Sequence, residues 1–418
     1  MIVRGTGRAC ARSRSRRMAL GIGTGVAMLS LGACQVTTGS GSETPKAGGP
    51  SVPQTSAPAV QPLRLTTNVP AGKSDVSVDT AFQVRATGGK VSNVFLFYRK
   101  RADGHFVPGA LNRDGTTWRA SGLLEPGKHY HAVITGLDAD GAKTTRSTAF
   151  GTRALTLAQQ TYPSIAPLQG QTVGIGMPVI VKFDVPVTNR AAIEKHLSVT
   201  STPTVVGSWH WISANEIHYR PKTFWKPGTH VTVHADINGV NAGNGVFGQV
   251  DNSASFVIGD SVIDRINLRT DLMKVVVNGK VARTIPVTGG MPGFDTRSGT
   301  KVIVEKFPSL RMDAATVGIP KGSPQYYDIP DVQYAMRVTY SGEFLHAAPW
   351  SEASQGVQNV SHGCVGMSTA NAQWLYDLSH VGDVVQVTGS DRSLEPNNGW
   401  TDWNESFAAY RRGSALHH

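Results

Sequence analysis

Ser361-His362-Gly363-Cys364-Val365-Gly366 is the stretch on which the reading of this chain turns, together with Glu343-Phe344-Leu345-His346-Ala347 upstream. Cys364 is one of three cysteines in 418 residues, and the other two, Cys10 and Cys34, fall within the first 34 positions. A thiol beside glycine, with one histidine two residues before it and another eighteen before it, is suited to nucleophilic catalysis.

The thiolate is the attacking species, and a free cysteine is only a few per cent ionised at neutral pH. A nearby imidazole can take the thiol proton and return it to a leaving amine. His346 suits that role at the end of the apolar run Phe344-Leu345, provided the segment from Ala347 to Val360 folds back. Gly363, lacking a Cβ, lets backbone approach a reacting carbonyl, so the N–H groups of Gly363 and Cys364 are candidate oxyanion donors. Two other readings stand beside this one. A lone cysteine also serves as a small buried apolar residue. His346, His362 and Cys364 also supply three zinc-ligand types, although His-x-Cys fits no common zinc spacing and no Cys-x-x-Cys accompanies it. We expect no metal or other cofactor.

The order His346, an intervening loop, then Ser361-His362-Gly363-Cys364 resembles the signature of the L,D-transpeptidases of bacterial cell walls. That family's pattern is His, about fifteen residues, then Ser/Thr-His-Gly-Cys-x-Asn/Arg. Ser309-Leu310-Arg311-Met312-Asp313 resembles the substrate lid of the large multidomain actinobacterial lipoprotein members. Tyr340-Ser341-Gly342, His346-Ala347-Ala348-Pro349-Trp350, Gln355-Gly356 and Asn371-Ala372-Gln373-Trp374 are similar to the same subgroup. The resemblance is close from about 260 to 412 and looser upstream.

The resemblance implies that Cys364 is the nucleophile and His346 the proton acceptor and donor. Its ring would be oriented by the backbone carbonyl of Ala347. His362 would be an auxiliary proton partner and Gly363 an oxyanion N–H donor. Met312, Tyr327 (or its neighbour Tyr326), Ser341, Gly342, Trp350, Ser361 and Gly366 would face substrate. The family commonly carries Asn where Gly366 stands, so one side-chain amide contact is absent.

Residues 1–33 hold six arginines and no acid, followed by an apolar run from Met18 to Ala33, as in a signal peptide. Leu31-Gly32-Ala33-Cys34 looks like a lipobox, with Cys34 as the lipidated residue; the other reading is an ordinary cleavage site. Arg16-Arg17 hints at twin-arginine export. Subtracting those six arginines from the net charge of +11 leaves +5, mildly basic and without the basic patch of a nucleic-acid binder. Residues 34–62 are rich in Gly, Ser, Thr, Pro and Ala and read as a disordered tether.

The remaining chain is mainly β. Residues 63–153 carry alternating runs such as Phe82-Gln83-Val84-Arg85, with turn signals at Asp103-Gly104, Asp114-Gly115 and Asp140-Gly141. They predict an immunoglobulin-like β-sandwich with no disulfide. Residues 154–259 repeat the texture: Pro126-Gly127 and Pro227-Gly228 stand 101 residues apart, each before an alternating strand. A short helix is expected over Ala191–His196. Trp209, Trp211, Phe224 and Trp225 have the character of a sugar-binding face, but packing in a core or between domains weighs more.

Residues 260–389 form the expected catalytic β-sandwich. Its strands are read at 263–268, 274–277, 283–287, 301–304, 335–339, 343–346 and 383–388. Its one helix starts after a Ser368 cap and ends before Gly382. Trp400, Trp403, Phe407 and Tyr410 in the tail, 390–418, suit a short amphipathic helix that clamps back onto the second sandwich.

The expected function is an exported, lipid-anchored cysteine acyltransferase on the outer face of the membrane, forming 3→3 cross-links between peptidoglycan stem peptides. Its partners would be a donor tetrapeptide stem, an acceptor stem, the membrane through the lipid anchor, and carbapenem β-lactams as covalent inhibitors, with no nucleic acid. Two rivals are an L,D-carboxypeptidase, in which water takes the same thioester, and a non-catalytic wall-associated scaffold.

Overall fold

The fold was analysed in a computed structural model that describes residues 61–98 and 105–416. The expected signal peptide, Cys34 and the Asp103-Gly104 turn lie outside these residues.

Alternation of buried and exposed positions builds the first sandwich. His129–Asp138 buries every second side chain at its start, as does Gln83–Thr87. One four-stranded sheet runs in the order Arg64–Thr67, Gln83–Thr87, Thr117–Ala120, Gly109–Leu111. The other runs His105–Val107, Gly89–Tyr98, His129–Asp138, Lys143–Gly151. Phe82 and Tyr130 both stack on Phe150, at 5.3 and 5.4 Å between ring centroids. The buried Tyr130 hydroxyl accepts the Glu125 N–H at 2.8 Å.

The second sandwich pairs Pro163–Ala166, Val179–Phe183, Glu216–Pro221 and Gly207–Trp211 in one sheet. The facing sheet holds Thr172–Val173, Asn252–Ile258, His230–Ala235 and Leu197–Thr202. Gly127 and Gly228 both sit at positive φ (64° and 74°) immediately before corresponding strands, so the faint repeat is a repeated turn. The helix is Arg190–Glu194. Trp209, Trp211 and Trp225 are buried in this core, and Phe224 packs on Trp403 at 4.4 Å; these aromatics are packing, not an open face.

In the third domain a five-stranded sheet runs Lys280–Pro286, Leu272–Val277, Val262–Asn267, Val384–Thr388, Gly299–Val302. Asn278 and Gly279 turn the hairpin of Leu272–Val277 and Lys280–Pro286 with φ of 48° and 81°. The second sheet runs Glu305–Asp313, Asp328–Arg337, Phe344–Ala347, Val365–Met367. The helix is Thr369–Leu378, and Ser368 Oγ accepts the Asn371 N–H at 3.4 Å. Two expectations need correction. The strand read as beginning at Ala335 begins at Asp328 and, with Glu305–Asp313, makes a long hairpin. Its outer half is polar and half exposed, so it lacks the apolar alternation that marks a strand in sequence. The tail is not one helix through all four aromatics: Asp402–Asn404 is a separate short turn, and after the break Ser406 caps Phe407–Tyr410, which runs directly into Arg411–Gly413.

The tail does clamp the second sandwich. Asp402 Oδ1 lies 2.9 Å from His218 Nδ1, Glu216 Oε1 lies 2.7 Å from His218 Nε2, and Tyr410 donates its hydroxyl to Asp402 at 3.0 Å. Arg220 lies over the rings of Trp403 and Tyr410 at 4.7 and 4.5 Å. The second sandwich and the third domain also meet through backbone: Gly174 N–H donates to Val381 O at 2.8 Å and Gly176 N–H to Gly382 O at 2.9 Å. A Cβ at Gly174 would stand 2.1 Å from Asp383 N, so glycine is what permits this approach.

Burial alone would lower the pKa of His218, but Asp402 and Glu216 outweigh it and raise the imidazole to about 9. A raised folded-state pKa contributes stability in full below about 6.5, lost as pH rises through about 9; the size is on the order of 3 kcal/mol. The unfolding temperature of the wild-type chain is therefore expected to fall between pH 6.5 and pH 10. His218→Gln should be less stable at pH 6.5 and should show a much smaller fall, measured by thermal denaturation across that range.

Candidate active site

Two strands deliver the site. Phe344–Ala347 and Val365–Met367 pair in parallel, with Leu345 opposite Val365, His346 opposite Gly366 and Ala347 opposite Met367. Leu345, Ala347, Val365 and Met367 point into the domain core. Side chains alternate across a strand, so His346, Cys364 and Gly366 share the other face. Both His346 and Cys364 line one cavity of about 310 Å³, with Thr288, Met312, Tyr327 and Trp350. A second cavity of similar volume, lined by Arg311, Asp313, Arg337, Gly342 and Phe344, lies across Met312 and Tyr327, which border both.

The imidazole is held in one tautomer. His346 Nδ1–H donates to Ala347 O at 2.8 Å, leaving Nε2 as the acceptor of the neutral ring. Trp350, half exposed, stacks on the ring at 5.9 Å between centroids. Burial lowers the pKa of His346 below its ordinary 6.5. Burial pushes the Cys364 thiol up to about 12; the Glu343 charge adds to this, while the Phe344 backbone, Lys301 and Arg337 act against it. Both groups are therefore neutral at pH 7, and the sulfur ionises only by handing its proton to a base during attack.

Cys364 Sγ donates to Gly342 O at 3.6 Å. Gly342 lies at φ +97°, with Val317 Cγ1 only 2.5 Å from where a Cβ would be, so the turn before Glu343 requires glycine. Gly363 likewise takes φ +118°. Its N–H, however, donates to Ser361 Oγ at 3.0 Å, while Ser361 Oγ–H donates to Cys364 O at 2.6 Å. The Gly363 amide expected to serve an oxyanion is, in this arrangement, bound to the Ser361 hydroxyl.

The other expected residues divide. Met312, Tyr327, Trp350, Ser361 and Gly366 line the first cavity, and Gly342 the second. Tyr327, not Tyr326, lines the first cavity; burial raises its pKa to about 12, so its hydroxyl stays protonated. Ser341 lines neither cavity and is bound to Asn398. His362 borders the cavity, but its Nε2 pairs with Gln325 Oε1 at 3.0 Å and its ring packs against Phe294 and Tyr327. At Gly366 a Cβ would stand 2.8 Å from Ala348 Cβ and 3.3 Å from Thr288 Cγ2, so an asparagine there would require Ala348 to move. Among the described residues no group of three or more His, Cys, Asp or Glu side chains is placed to hold a metal ion.

Sequence reasoning missed a set of buried charges near Cys364. Glu343 Oε1 accepts from Arg297 Nη1 at 3.0 Å, and Glu343 Oε2 accepts from the fully buried Lys301 Nζ. The only hint in sequence is an acid directly before the apolar Phe344-Leu345.

Comparison with known proteins gives two family matches: a bacterial Ig domain over residues 73–241 and an L,D-transpeptidase catalytic domain over residues 263–387. The chain is 36% identical over 353 residues to L,D-transpeptidase 2 of Mycobacterium tuberculosis, covering 84% of this chain and 85% of that protein. Among solved structures, an L,D-transpeptidase in complex with imipenem is 36% identical, with a TM-score of 0.48 over 54% of this chain and 97% of that one. An L,D-transpeptidase from Mycobacterium smegmatis is 35% identical, with a TM-score of 0.46 over 55% and 99%.

A neutral thiol and a neutral imidazole predict a particular alkylation profile. The rate of Cys364 modification by iodoacetamide should be low at pH 7 and should climb steadily beyond pH 9. A plateau reached below pH 8 would indicate a preformed thiolate–imidazolium pair.

Proposed function

The chain belongs to the L,D-transpeptidase family, and we propose that it acts by a cysteine thioester formed on Cys364, with His346 moving the protons. The observation that carries this reading is the shared cavity face of Cys364 and His346, with the histidine tautomer fixed by the Ala347 carbonyl.

As Sγ attacks the carbonyl carbon of the third residue in a donor stem, its proton passes to His346 Nε2. The carbonyl π pair moves to oxygen, where the neutral Tyr327 hydroxyl at the cavity border supports the developing charge. Collapse breaks the bond to D-alanine, whose nitrogen takes the proton from Nε2. The side-chain amine of a diamino acid on a second stem then attacks the thioester and loses a proton to Nε2. The departing sulfur recovers that proton, and a 3→3 amide remains. The two cavities on either side of Met312 and Tyr327 support a reading in which the two stems approach the sulfur from opposite sides. Arg311 and Arg337 border the second cavity, each paired with a carboxylate, Asp328 and Glu305. A carbapenem would enter the same path, its strained lactam carbonyl replacing the stem carbonyl.

Export and anchoring through Cys34 are part of this proposal; their support is the basic, apolar and lipobox-like succession at residues 1–34. A tether after the anchor would let the sandwiches carry the catalytic domain toward the wall.

Purified disaccharide-tetrapeptide should yield D-alanine and a cross-linked dimer, identified by mass spectrometry. Cys364→Ala should yield neither, and His346→Ala should lower kcat about 10²- to 10⁴-fold with a smaller change in KM. Tripeptide monomer without dimer would assign hydrolysis in place of transfer.

A further inference from the structure

The turn at Ser341-Gly342 holds the carbonyl that faces the sulfur, and its support comes from far along the chain. Inside the turn, Gly342 N–H donates to Thr339 O at 3.3 Å and Glu343 N–H to Thr339 Oγ1 at 2.8 Å. The tail adds Asn398. Its Oδ1 accepts the Ser341 N–H at 2.9 Å, and its Nδ2 donates to Ser341 Oγ and to Glu395 Oε2, each at 2.9 Å. Glu395 Oε2 also accepts from Arg297 Nε, and Arg297 Nη1 donates to Glu343 at 3.0 Å. The polar chain that leaves Ser341 thus passes through Asn398, Glu395 and Arg297 and returns at Glu343, two residues on.

Asn398 has little room to shift. Gly399 stands at φ +101°, so close to the neighbouring strand end that a Cβ would meet Val338 O at 2.9 Å. Three residues later Asp402 is fixed on His218 of the second sandwich. The geometry around the turn is therefore set from two directions, by buried Lys301 and Arg297 beneath it and by the docked tail beside it.

We propose that Asn398 is a positioning residue for Cys364: it fixes the Ser341-Gly342 turn so that the Gly342 carbonyl orients the thiol for attack. The inference rests on the reading of Cys364 as nucleophile. A carbonyl oxygen directed at the sulfur aligns S–H while it is protonated and opposes a thiolate. Removing the side-chain amide of Asn398 releases the carbonyl and opens the turn. Attack on a bound acyl donor should then slow, because a small misplacement of the reacting atom costs rate steeply. Ionisation of the sulfur in water should become easier. The two changes have opposite signs; a general loosening of the fold, which would also expose the buried thiol, is told apart by thermal denaturation, because Asn398→Ala should keep an unfolding temperature close to that of wild type.

The test measures two rates on the full-length protein and its Asn398→Ala variant. Acylation by imipenem is followed by stopped flow over a concentration range, and alkylation by iodoacetamide is followed at pH 8. Asn398→Ala should show a roughly tenfold lower limiting acylation rate with a half-saturation concentration within threefold of wild type, and faster alkylation. Glu395→Gln, which keeps the shape at an exposed site, should move both rates in the same directions by less. It carries the test if Asn398→Ala proves unstable. Acylation within twofold of wild type in both variants would overturn the proposal, as would acylation and alkylation falling together. Failure of the wild-type protein itself to acylate would instead remove the nucleophile reading, and this inference with it.

Discussion

The parallel pairing of Phe344–Ala347 with Val365–Met367 is the contact on which the site depends. Leu345, Ala347, Val365 and Met367 anchor both strands in one core, and the strand period then places His346 and Cys364 together on the opposite face. A slip of one residue in either strand would send its reactive side chain into the core and an apolar one into the cavity. The segment between the strands makes this pairing possible. It turns through Pro349–Ser354 and ties back to Thr288, whose N–H and carbonyl pair with Gly366. The Gly366 position, tight against Ala348 and Thr288, belongs to the same close packing.

Within that frame the electrostatics favour restraint. Burial holds the thiol and imidazole neutral, so under the proposed mechanism the pair gains reactivity only when a carbonyl sits above the sulfur and a proton can move directly to Nε2. A sulfur held in this way would stay inert to water and small electrophiles between encounters with substrate. The Glu343 charge adds to this state, while Lys301, paired with Glu343, acts against it. Breaking a buried pair by removing one partner costs about 3–5 kcal/mol, so these charges also make the turn stiff.

What sequence alone conveys follows from the range of the interaction. The Ser368 cap, the Asn278-Gly279 turn and the repeated Pro-Gly turns depend on neighbours a few residues apart, and all appear where expected. The lid strand from Asp328 was not legible, because its polar face carries no core-facing alternation. Nor was the break in the tail: aromatic spacing suggested one helix, but Trp403 and the Tyr410 ring meet partners two hundred or more residues away, Gly176 and His210. Ser361 capturing the Gly363 amide depends on the φ of a single glycine. The link from Asn398 to Ser341 joins two polar loop residues with no pattern of their own.

The most direct measurement of the central claim is the intact mass of the folded protein after incubation with imipenem, followed by peptide mapping. A neutral Cys364 activated by His346 predicts one equivalent of adduct on wild type, located at Cys364, and none on Cys364→Ala. Folded wild-type protein that stays unmodified, or an adduct on a residue other than Cys364, would contradict it.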